Sequence, residues 1–114
     1  VRQRADALTS PWFRFFMTYD PAEALKKVGC PVLAMIGVKD LQVDPAKNLP
    51  AIEKALKKGG NRNYMIKELP GLNHLYQHAK TGFLEEYAQI EETFDPATLE
   101  RIEHMLETGK PLRN

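Results

Sequence analysis

Two residues of this chain have the types and the positions to do acid–base chemistry together, Asp40 and His74. Asp40 follows the apolar run Pro31-Val32-Leu33-Ala34-Met35-Ile36 and the break Gly37. His74 follows a second strand-like run, 64–69, and the break Pro70-Gly71. A carboxylate hydrogen-bonded to one imidazole nitrogen fixes the ring's tautomer and stabilises its protonated form. The other nitrogen is then a general base toward a nucleophile. Acid and histidine are two members of a catalytic triad, and the third is missing. The chain has no Gly-x-Ser-x-Gly elbow, and its single serine, Ser10, precedes Pro11 in no such context.

The elements that must place this pair can be read from the same sequence. The run 31–36 is short and continuously apolar, which suits a strand buried on both faces of a parallel sheet. Asp44-Pro45 starts a helix whose Leu49, Ile52 and Leu56 make one apolar stripe. Pro50 should kink that helix or mark its true start. Lys54, Lys57 and Lys58 load its last turn as a solvated face that suits the macrodipole, and Gly59-Gly60 ends it. A strand at 64–69 follows. A strand–helix–strand unit of this kind should be right-handed and parallel. Functional groups gather at the carboxyl ends of such strands, and neighbours lie about 4.8 Å apart. An acid just past one strand can therefore meet a histidine just past the next.

Around this unit the reading is helical. Ser10-Pro11 starts a helix near 11–18, within an aromatic stretch that spans 3–18. Asp20-Pro21 starts another at 21–28, with Gly29 as its stop. A helical patch falls near 84–91. Asp95-Pro96 opens a last helix, with Leu99, Ile102 and Leu106 on one stripe and Gly109 as terminator. The fold class is therefore α/β, in a single domain over 1–114. A two-stranded sheet cannot bury a strand like 31–36 on both faces and both edges, so the sequence reads as part of a larger sheet.

Composition narrows the function. Apolar residues make up 43% and charged residues 27%, as in ordinary globular chains. A net charge of +1 gives no reason to expect nucleic acid or an anionic membrane as partner. No apolar stretch approaches a membrane span, and the N-terminus does not resemble a signal peptide. One cysteine, Cys30, leaves no internal disulfide or multi-cysteine zinc site, and fits a cytoplasmic setting. The first residue is Val, so the expectation is that the chain does not begin at a natural start codon.

The residues resemble a family at this point. Pro31 through Val43, followed by Leu69-Pro70-Gly71-Leu72-Asn73-His74, resembles the last two strands of the α/β-hydrolase fold. The resemblance extends to Ser10-Pro11-Trp12-Phe13 and Tyr19-Asp20-Pro21 before the strand. After it come Thr81-Gly82, Glu86-Tyr87 and Glu91-Glu92-Thr93. The chain looks most like bacterial serine hydrolases of the esterase or prolyl-oligopeptidase-related kind. That resemblance implies a triad in the order Ser, Asp, His, with Asp40 at the acid position and His74 at the base position. It implies a C-terminal fragment, with 1–29 as the end of a lid region and 30–114 as the last two strands and their helices. The parent protein would cleave an ester, thioester or peptide bond in a small acyl or peptide substrate, without cofactor or metal. This chain alone would be inactive.

Each reading has a rival. Asp40 could be a turn aspartate after Gly37, and Asp44 is the fallback acid, though Pro45 behind it argues for helix capping. His74 could be a structural loop histidine. His78, four residues on, would share its face in a helix and could bind zinc, but no third ligand is evident. Asn73 either orients the histidine loop or is a plain turn residue. Trp12, Phe13, Phe15 and Phe16 are favoured as core over an acyl pocket or lid hinge. Cys30 reads as a buried small apolar residue. The functional alternative is a non-catalytic α/β module whose exposed strand edge pairs with a second copy, as a homo-oligomer, or with a partner.

Overall fold

Val32–Gly37 (β1) and Tyr64–Leu69 (β2) pair in parallel, level from end to end, with Val32 opposite Tyr64 and Gly37 opposite Leu69. They belong to a computed structural model that describes residues 8–113. Two short helices precede the strands, α1 (Pro11–Thr18) and α2 (Ala22–Leu25). The crossover helix α3 (Pro45–Lys58) joins them, and α4 (Leu84–Tyr87) and α5 (Pro96–Thr108) follow. The described chain is mixed α/β, with two parallel strands and five helices.

Helix starts fall where the Asp-Pro and Ser-Pro pairs place them. Ser10 accepts the N–H of Phe13, Asp44 that of Ala46 and Asp95 that of Thr98, each with a proline just inside. Asp44 is thus a helix cap. Pro50 neither starts nor ends α3, which runs through it to Lys58. The crossover helix packs on both strands and on α2. Leu49, Ala55 and Leu56 on its inner side, with Ile36, Leu69 and Leu72, are the buried apolar residues. Buried Asn61 ties the strand starts together. Its amide donates to the carbonyls of Val28 and Cys30, while its oxygen accepts the N–H of Asn63.

Several expectations are corrected. The first strand is shifted by one residue, because Val32 is the first residue whose N–H reaches the neighbouring chain, at Asn63. The helix expected at 21–28 is one turn long, since Lys27 and Val28 bond three residues back and tighten the chain into a turn. The patch at 84–91 is likewise only α4. Cys30 is exposed, because it lies in the turn before β1 and not in the strand. No residue of α1 is buried, so Trp12, Phe15 and Phe16 are not core; the aromatic stretch also includes 3–7, outside the described residues. On α5 only Thr98 is buried, and Leu99 and Leu106 are exposed.

Beyond β2 nothing among the described residues pairs with β1. Its open side borders a groove of about 590 Å³ lined by β1 residues with Ile52, Tyr76, Ile102, Met105 and Leu106. No described helix is long and apolar enough to cross a membrane.

Candidate functional site

Gly37 is where the site begins. A Cβ on it would stand 2.2 Å from the Leu72 carbonyl oxygen and 2.8 Å from that of Asn73. Only glycine lets the backbone after β2 cross the end of β1 so closely. Two bonds then continue the strand pairing into the loops, Val38 N–H to Leu69 and Lys39 N–H to Leu72. A tight turn from Gly37 to Asp40 swings the acid round toward the crossing chain.

Asp40 is 7% exposed, and its two carboxylate oxygens divide their bonds between its own loop and the histidine loop. Oδ1 accepts the N–H groups of Gln42 and Val43, at 2.9 and 2.8 Å. Oδ2 lies 2.9 Å from His74 Nδ1. Burial pushes the Asp40 carboxyl up, but the Val43 N–H, the His74 ring and the Gln42 N–H outweigh it and hold it below the usual range. An ionised Asp40 can only accept, so Nδ1 carries the proton and donates. That leaves Nε2 as the basic nitrogen. The His74 side chain is 35% exposed, and its Nε2 bonds to no described residue.

The histidine loop is built around Asn73, which is 1% exposed. Its side-chain oxygen accepts the N–H groups of Leu75 and Gln77, and its amide donates to Gln77 Oε1. Asn73 is therefore the turn residue that shapes the loop carrying His74, which unites the two readings of it. The loop closes where Ala79 N–H reaches the Gly71 carbonyl. Tyr76 has a left-handed backbone, φ 57°, and its hydroxyl donates to the Met35 carbonyl in β1. Burial, and then the charge of Asp40, push its phenol up, so it stays a donor. Its ring packs on Phe94.

His78 goes elsewhere. The segment is not helical, and His78 Nδ1 contacts the Glu92 carboxylate at 2.8 Å, with Nε2 3.8 Å from Asp95 Oδ1. His74 and His78 thus serve different partners, and the zinc pairing considered for them does not form. His78, Glu92 and Asp95 bring ligand-type atoms within 4.8 Å of one another. Glu92 also accepts the His78 backbone N–H, and one Asp95 oxygen is taken by Thr98. Separations of 14 and 17 residues, with no shared periodicity, hide this trio in the sequence. Beside the acid loop opens a hollow of about 270 Å³, lined by Leu41, Gln42, Gly82, Phe83, Leu84 and Glu85.

The chain matches no protein-family model, no curated protein and no solved structure. Its functional reading therefore rests on the geometry of the strand ends.

Proposed function

We propose that Asp40 and His74 are the acid and base of a serine hydrolase, in a chain that carries these two members of the triad without the nucleophile. One observation carries the reading. Two adjacent parallel strands deliver a buried, N–H-anchored carboxylate to Nδ1 of a half-exposed histidine at 2.9 Å. That arrangement sets the tautomer, leaves Nε2 basic and supports the positive charge that forms when it takes a proton. A serine supplied from outside these residues would lose its proton to Nε2 and attack the carbonyl of an ester, thioester or peptide. The acyl-enzyme would then be cleaved by water, with His74 again as base. Ser10 is not that serine, since its hydroxyl oxygen caps α1.

The test is the coding sequence and its product. The reading frame should continue upstream through a Gly-x-Ser-x-Gly between a strand and a helix. The longer protein should react with a fluorophosphonate probe at that serine. Asp40→Asn should lower kcat there by about 10⁴-fold, because the wrong tautomer is then favoured. A frame that starts near Val1, or labelling indifferent to His74→Ala, overturns the proposal.

A second reading is favoured by the open edge of β1 and the apolar groove beside it. Such an edge can pair with a second copy of the chain. Light scattering decides between the two: a clean, folded monomer counts against self-association.

A further inference from the structure

We propose that Lys39 and Glu86 form an ion pair transmitted through two peptide groups, and that this pair positions Asp40 against His74. The use assigned to the pair rests on the hydrolase reading above; its geometry does not.

Lys39 Nζ donates to the carbonyls of Ala79 and Lys80, at 2.7 and 2.8 Å. The Glu86 carboxylate accepts the N–H groups of Lys80, Thr81 and Gly82, at 2.9, 3.2 and 3.1 Å. The Ala79 carbonyl and the Lys80 N–H are two ends of one peptide group. The Lys80 carbonyl and the Thr81 N–H are the ends of the next. In a trans peptide these ends point in opposite directions. An ammonium therefore stands on one side of the segment, a carboxylate on the other, and two aligned peptide dipoles lie between. Bonds to ionised groups are roughly twice as strong as neutral ones. Partial burial pushes the Glu86 carboxyl up, but the three N–H groups outweigh it and keep it below the usual carboxylate range.

The segment held this way lies flat on the acid's neighbour. Gly82 is buried at φ 84°, and a Cβ on it would stand 2.1 Å from the Lys39 carbonyl oxygen. Lys39 also grips the histidine loop at both ends. Its N–H bonds to Leu72, and its ammonium bonds to Ala79, whose own N–H closes the loop on Gly71. Asp40 is the next residue. Lys39 and Glu86 touch neither reacting atom, so they are positioning residues.

The test uses this chain and the His74 Nδ1 proton, which gives a low-field proton resonance when held by a carboxylate and is assigned by its loss in His74→Asn. The wild-type chain should show it. Lys39→Met should abolish it, Glu86→Gln should abolish it, and the double variant should be no worse than either alone in thermal midpoint. Glu86→Gln preserves shape and carries the test if Lys39→Met does not fold. Retention of the resonance in Glu86→Gln, at the wild-type shift and with only a lower thermal midpoint, overturns the proposal. So do additive losses in the double variant, since the two charges would then act separately. Absence of the resonance from the wild-type chain overturns the Asp40–His74 bond itself, and with it the hydrolase reading.

Discussion

The strand ends and helix α1 meet water in opposite ways. At the strand ends, buried polar residues Asp40 and Asn73 have their partners, and those partners lie within 40–77. On α1, Trp12 is 69% exposed and Phe16 61%, and their rings stack on each other. The first region satisfies its own buried polar side chains. The second exposes apolar surface of the kind that marks an interaction site. The difference shows that the buried side chains of the site find their partners in the strand-end loops, while the apolar surfaces of α1 and the β1 groove have no cover among the described residues.

The largest expected effect is at Gly37. Gly37→Ala forces a methyl into the Leu72 backbone, and overpacking there should cost about 3 kcal/mol in denaturant unfolding. Asp40 should lose its bond to His74 in the same variant. A loss within about 0.5 kcal/mol, typical of an unremarkable surface change, would mean that the crossing of the two loops does not define the site.

A smaller effect is expected from pH. The Asp40 carboxyl titrates lower in the folded chain than in the unfolded one. The folded state therefore binds fewer protons, and the carboxylate stabilises it fully above the unfolded value of about 3.9. That contribution is lost as the pH falls through the lower, folded value. Asp40→Asn should flatten this part of the stability curve, read by urea midpoints across the acid range. An unchanged acid limb would remove Asp40 as its source.

The smallest effect is expected on α1. Trp12→Ser together with Phe16→Ser should change the stability of this chain by no more than about 0.5 kcal/mol, because neither ring is buried. A loss of several kcal/mol, or a drop in solution mass on substitution, would show that these rings are covered in solution.

What could be read from the sequence follows the range of the forces involved. Helix starts at Pro11, Pro45 and Pro96 are set by a cap and a proline beside it, the strand Tyr64–Leu69 by a short run closed by Pro70-Gly71, and they fall where expected. The places of Asp40 and His74 past two strands were legible too, because parallel pairing converts sequence position into proximity. Burial was less legible. Cys30 was expected inside for its type and its place before a buried strand, and the α1 aromatics for their type, but burial depends on what lies opposite. Least legible were the contacts of Lys39 with Ala79 and of His78 with Glu92, which join residues by loop path and leave no periodic trace.

The level register of the strands has a consequence for how this region can change. Gly37 and Leu69 stand opposite each other, Asp40 lies three residues beyond the first, and His74 lies five beyond the second. The meeting of acid and base is in this sense a count. Val38 is exposed, so its side chain can be exchanged, yet deleting it would shift Asp40 by one position against His74. Surface loops commonly absorb insertions more easily than their anchoring strands do. Between Gly37 and Asp40, and between Leu69 and His74, the chain should instead refuse new lengths even where, as at Val38, it accepts a new side chain.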